Sequence, residues 1–306
     1  MLSHSTVSAR HGTSIIEVVI AMVVAAVVLS LVTTIAVRQQ RLFTDLTDGV
    51  ALSGQLREAA TILPIDLRSV SVGSRDIREA RDTSIELRAT IASAVVCDTT
   101  SNGFVFAPTD TGASAYAGYL TTIDAGDTAW VLTPTDSGDD WRPFHIASAG
   151  SSAAKQCAAA GPQLSARART QSRIAVGLST PPPSLRSTIG TAVRVTRPIR
   201  YSLYRASDNL WYLGEKDWNA ALVRFNTIQP VSGPYLSASL GGLTFTYLDS
   251  IGSVVPAPVA DPSTIAAIRV SLRGQTKNIS RVLSSAATTG KRIDTTTVTV
   301  LLHNRR

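Results

Sequence analysis

The sequence predicts an α+β protein: a long N-terminal helix packed on an antiparallel β-sheet ectodomain with long loop insertions. Three observations predict it. An apolar run of membrane length lies near the N-terminus. A helical spacing of apolar residues continues beyond that run. Short stretches then alternate polar and apolar residues with period two, as half-buried strands do.

The apolar run sets the first element. Ile15 to Val37 is 23 residues, or roughly 34 Å of helix at 1.5 Å per residue, enough to span a hydrocarbon core. After Arg38 the spacing of Leu42, Leu46, Val50, Leu56, Ala60 and Leu63 continues the helix with an apolar stripe. Arg41, Asp45, Asp48, Arg57 and Glu58 occupy the other face. Gly49 and Gly54 predict a bend, and Pro64 predicts the helix end. The helix is therefore expected over 13–63 and the ectodomain over 64–306.

Seven strands follow. They are Thr83–Arg88, Thr128–Thr133, Ala192–Tyr204, Leu210–Leu213, Leu243–Leu248, Ala267–Leu272 and Thr296–Leu302. Ser207-Asp208-Asn209 makes a hairpin of the third and fourth. Meander order predicts antiparallel pairing. The stretch 99–191, rich in Ala, Ser, Thr, Gly and Pro and including Pro181-Pro182-Pro183, predicts mostly long loops inserted between strands.

The most informative residues lie at the head of the helix. Arg10-His11-Gly12-Thr13-Ser14-Ile15-Ile16-Glu17 leads straight into the apolar run and puts one carboxylate near the start of a membrane helix. A charge at a bilayer centre costs about 2.5–3.5 kcal/mol on insertion scales, so an intramembrane carboxylate calls for a partner. A cut after Gly12 supplies one, because the new α-ammonium of Thr13 lies one helical turn from Glu17.

This segment resembles the prepilin signal of type IV pilins and type II secretion pseudopilins. The resemblance implies cleavage after Gly12 by a membrane prepilin peptidase, methylation of the Thr13 amine, and a role for Glu17 in guiding the subunit into a filament. Ile15 and Ile16 match the apolar pair before the carboxylate; Thr13 stands where the family usually has Phe. The match covers the first forty or so residues. It implies a leader over 1–12, an N-terminus in the cytoplasm, and an ectodomain that is periplasmic or extracellular. Charge alone does not choose this orientation, since Arg10 is the only leader Arg or Lys, whereas Arg38 and Arg41 follow the helix. The implied partners are the peptidase, other pilin or pseudopilin subunits through the N-terminal helix, and an inner-membrane assembly platform. Ile199–Arg205 through Leu210–Gly214, Gly241–Asp249 and the basic end His303–Arg306 also resemble larger minor pilins of the PilW/PulJ kind. The competing reading is a signal-anchored ectodomain with its own binding or enzymatic role.

Other chemistry finds little footing. His4, His11, His145 and His303 form no metal or catalytic motif, and Thr289-Gly290-Lys291 lacks the earlier glycine of a phosphate loop. No cofactor, metal or enzymatic activity is expected. Asp136, Asp139 and Asp140 form the one loop where calcium is an alternative to a solvated turn. Cys97 and Cys157 are the only cysteines, and a disulfide between them suits an oxidising compartment. The net charge of +7 comes from scattered residues, which describes a solvated surface; DNA capture stays open because some filaments of this family serve DNA uptake. Trp211, Tyr212 and Trp218 near Arg200 and Arg205 offer a sugar or DNA surface, with hairpin packing as the alternative.

Overall fold

The structure is a computed structural model that describes residues 14–70, 76–107, 117–135, 138–152, 173–182, 188–276, 278–279 and 290–302. It shows an α+β chain, with one long helix and a large antiparallel sheet. Two compact units divide it, Met1–Ala51 with Thr276–Arg292, and Leu52–Gln275 with Ile293–Arg306. The boundary falls inside helix α1 (Ile15–Ser69).

In the first unit α1 is apolar on every side and exposed from Ile15 to Val37. The hydroxyls of Thr33 and Thr34 donate to the carbonyls of Leu29 and Ser30 at 2.7 and 2.8 Å, which satisfies them within the helix. α1 runs unbroken through Gly49 and Gly54. Gly49 lies under the Arg292 guanidinium, where a Cβ would come within 3.0 Å of Nη1. Next to it the Asn278 amide donates to Asp48 at 2.9 Å.

In the second unit α1 buries Leu52, Leu56, Ala59, Leu63 and Leu67. This stripe replaces the predicted one in its first half, since Leu42, Leu46 and Val50 are exposed. The helix also passes Pro64 and ends at Ser69 instead of Leu63. A proline inside a helix costs about 3 kcal/mol. Burying Leu67 and Val70, both fully enclosed, returns about 1.5–3 kcal/mol each, so continuing the helix is favourable.

Fifteen strands are present among the described residues: β1 (Ile77–Ala80), β2 (Ser84–Thr99), β3 (Gly103–Phe106), β4 (Ala117–Tyr119), β5 (Thr128–Thr135), β6 (Gly138–Ser152), β7 (Arg173–Leu178), β8 (Ala192–Arg205), β9 (Trp211–Asn219), β10 (Arg224–Phe225), β11 (Gln229–Tyr235), β12 (Leu243–Leu248), β13 (Val254–Val255), β14 (Ala267–Gln275) and β15 (Ile293–Leu301). All seven predicted runs fall on strands, with Thr83, Leu210 and Leu302 one residue outside, and every pairing is antiparallel. The order is not a simple meander. β2 pairs with β8 across more than a hundred residues, and β11 sits between β9 and β14.

The 99–191 segment departs most from expectation, because it carries β3 to β7. Pairing runs β2–β3–β7–β6–β5–β8 and returns from β8 to β2, a closed ring of six strands. Its interior holds Ala92, Ala94, Ala117, Ala129, Val131, Val193 and Val195 with Phe104, Phe106, Ile146 and Leu178. Eight strands make a barrel whose interior side chains just fill; six leave less room, so small residues suit the inside. Of the interior alanines, Ala117 and Ala129 come from the segment whose composition suggested loops. A register shift in β2 between Thr90 and Ala92 bends the strand where it leaves this ring. Its first half joins the open sheet β1–β2–β8–β9–β11–β14–β12, whose Ile85, Leu87, Tyr201, Leu213, Phe245 and Leu272 cover the α1 stripe.

Candidate functional site

The sequence singles out the head of α1. The Ser14 carbonyl accepts from the N–H groups of Glu17 at 3.0 Å and Val18 at 3.3 Å, opening the helix. Glu17 therefore stands in the first turn, where a carboxylate complements the positive end of the helix dipole. Its side chain is exposed and makes no hydrogen bond or ion pair among the described residues. Gly12 and Thr13 lie outside the described residues. α1 is the one described helix long and apolar enough to cross a membrane, and it suits a membrane anchor or a signal segment.

Cys97 is fully buried on β2 and disulfide-bonded; Cys157 lies outside the described residues. So do Asp136 and the side chain of Asp139. Asp140 is exposed and faces Arg142 at 3.6 Å. Among the described residues no group of three His, Cys, Asp or Glu could hold a metal.

The structure brings together one set of groups that the sequence did not flag. A cleft of about 660 Å³ is lined by Asp66, Ile91, Arg197, Glu215, Asp217 and Asn226, among others. Between two of these lining residues the hydroxyl of Tyr201, itself fully buried, lies 2.5 Å from Asp66 Oδ2 and 3.0 Å from Glu215 Oε2. A phenol has one proton to donate, so it can fully satisfy only one of the two carboxyls at a time. Burial pushes the Asp66 and Glu215 carboxyls up, against the lowering effect of the Tyr201 hydrogen bond. Burial and the two neighbouring carboxylates push the Tyr201 phenol up in turn. The arrangement couples the two carboxyls through one phenol between helix and sheet. Arg197 adds no free charge, since Asp127 holds it at 2.7 Å and Asp124 at 2.8 Å. No sequence signal pointed here: Asp66 lies past the predicted helix end, and Glu215 past the predicted strand.

Arg78, Arg81, Arg142, Arg194, Arg197 and Arg200 all pair with carboxylates. Trp218 meets the Phe225 ring edge at 5.2 Å, and Arg200 lies over that ring at 4.8 Å. Tyr212 packs against Tyr204 and donates to Asp208 at 2.7 Å. These half-buried side chains knit the β8–β9–β10 surface together.

No protein-family model matches the chain, and neither a curated protein nor a solved structure matches it.

Proposed function

We propose that the chain is a minor pilin or pseudopilin, a structural subunit without catalytic activity that primes or caps a type IV pilus or type II secretion pseudopilus. The observation that carries this reading is Gly12, Thr13 and Glu17 at the head of a helix of membrane length. A prepilin peptidase removes residues 1–12, and the ammonium of Thr13, methylated or not, then pairs with a Glu17 carboxylate of its own or a neighbouring subunit. In a low-dielectric helix bundle an unpaired charge is strongly disfavoured, so the pair selects the assembled arrangement. The sheet ectodomain stands on the periplasmic or extracellular side of the inner membrane, where a disulfide at Cys97 is stable. Its size suits an end position, where lateral packing is relaxed.

Mass spectrometry of the N-terminal peptide from native membranes tests the first step. A chain beginning at Thr13 supports it; a chain that keeps residues 1–12 makes the protein a signal-anchored ectodomain. Glu17→Ala tests the second. It should reduce recovery of the subunit with filaments while the ectodomain stays folded, and normal incorporation would end the charge-pair mechanism.

A further inference from the structure

The cleft beside Asp66 and Glu215 has the volume of a small-ligand site, about 660 Å³. α1, β2, β8 and β9 supply most of its wall. Ala89, Ile91 and Ile199 give it an apolar side and are themselves buried. Leu120 also lines it and is 80% exposed. Its N–H donates to the Ile91 carbonyl at 2.9 Å, which fixes this apolar side chain next to the buried ones.

The polar side is acidic. Alternation along β9 puts Glu215 and Asp217 on one face, and Tyr201 joins Glu215 to Asp66 on α1. Both oxygens of Asp217 accept from the Asn226 amide at 3.1 Å, and Asn219 orients that amide by donating to Asn226 Oδ1 at 3.1 Å. A carboxylate offers about four acceptor sites. Asp66 and Glu215 face one side-chain donor between them, the Tyr201 hydroxyl, among the described residues. Arg197, the one base in the wall, commits Nε and Nη2 to Asp127, Asp124 and the Thr122 carbonyl. Burial raises the Glu215 carboxyl, the Tyr201 hydrogen bond opposes this, and the charges of Asp66 and Asp217 raise it further. These three carboxyls thus lack an opposing cation among the described residues. Thr90, in the same wall, has a buried hydroxyl with no hydrogen-bond partner among the described residues, and such a group calls for a polar atom beside it.

We propose that this cleft binds an organic cation, an alkyl ammonium or guanidinium whose N–H groups lie among Asp66, Glu215 and Asp217 and whose stem packs on Ile91, Ile199 and Leu120. An ammonium carries three donors and a guanidinium five, which suits the acceptor positions that Tyr201 and Asn226 leave open. A metal ion suits the site less well. Among the described residues no group of three His, Cys, Asp or Glu could hold one, whereas donors spread over a stem reach carboxyls that stand apart. Two sources carry this chemistry, a free amine and a Lys or Arg side chain of a peptide. The site lies in the sheet ectodomain, so it goes beyond the filament reading and does not depend on leader removal.

The test is the thermal unfolding midpoint of the full chain in detergent, read at constant ionic strength against ligand concentration. A ligand that binds only the folded chain raises the midpoint as its concentration rises. The probe is agmatine, an ammonium and a guanidinium on one short alkyl stem, and 1-butanol is the uncharged control. Agmatine should raise the midpoint and butanol should not. Glu215→Gln and Asp217→Asn should each weaken the apparent Kd for agmatine by about tenfold, the loss of one charge-assisted hydrogen bond. Asp140→Asn, which removes an exposed carboxylate outside the cleft, should leave it unchanged. Burial raises the Asp66 and Glu215 carboxyls, so agmatine should bind the wild-type chain more tightly as pH rises above the ordinary carboxylate range. That measurement needs no variant and decides the matter if Glu215→Gln does not fold. A midpoint indifferent to agmatine would overturn the proposal, as would equal shifts by agmatine and butanol, unchanged affinity in Glu215→Gln, or tighter binding at low pH. A capped tripeptide with a central lysine separates the sources. Tighter binding than agmatine upholds the site as one for a peptide side chain, and weaker binding upholds it as one for a free amine.

Discussion

Leu67→Ala and Ile65→Ala test the continuation of α1 through Pro64, on which the docking of its last turns depends. In a helix, residues 65 and 67 point about 200° apart; in an extended chain they share a side. Leu67 is 0% exposed within the core and Ile65 is 60% exposed. Truncating Leu67 to Ala removes three carbons, about 2.4 kcal/mol at about 0.8 per methylene, and the residual cavity adds more. A loss of about 3–4 kcal/mol follows. For a folded unit of this size that lowers the midpoint of thermal unfolding by roughly 6–15 °C. Ile65→Ala should change stability by less than about 0.5 kcal/mol. The assay is thermal unfolding of the full chain in detergent, followed by the fluorescence of Trp130, Trp141, Trp211 and Trp218, all beyond the membrane-length segment. Equal losses in the two variants, or a Leu67→Ala loss below about 1 kcal/mol, would refute a helix in this register.

The Asp66–Tyr201–Glu215 contact predicts a pH dependence. Both carboxyls are raised in the folded state, so that state binds more protons than the unfolded chain. The stability this confers is full at low pH and is lost as pH rises past the ordinary carboxylate range. As pH rises above the ordinary carboxylate range, unfolding free energy should fall more steeply in wild type than in Glu215→Gln; a steeper fall in the variant contradicts a raised Glu215 carboxyl. Gly103→Ala should destabilise by about 3 kcal/mol or more, since its Cβ would stand 1.8 Å from the Val176 carbonyl oxygen and force β3 from β7. Gly118→Ala, with nothing within 4 Å of its Cβ, is the control, and equal unfolding midpoints for the two would remove the ring-closing role of Gly103. Peptide mapping without reductant should recover Cys97 joined to Cys157, and replacing both by alanine should cost about 4 kcal/mol for a loop of about 60 residues. Recovery of Cys157 as a free thiol would exclude that pairing.

The features legible in the chain were those that repeat locally. The 23-residue run from Ile15 to Val37, apolar at all but Glu17, Ser30, Thr33 and Thr34, means a membrane-length helix whatever surrounds it, and short β-like runs identified β2, β5, β8, β9, β12, β14 and β15. In both cases the pattern lies in consecutive residues, and burial on one face or on all faces is its physical cause. Tertiary structure alone decided what each face meets. Pro64 sits inside α1 because Leu67 and Val70 find a core to enter, and that gain outweighs a local penalty visible in the sequence. The ring of β2, β3, β5, β6, β7 and β8 was hidden because its closure rests on pairings between distant segments, β2 with β8 and β3 with β7. Asp66 and Glu215 share Tyr201 only because α1 crosses strands more than a hundred residues away, and a pairing between distant segments leaves no trace in the order of neighbouring residues.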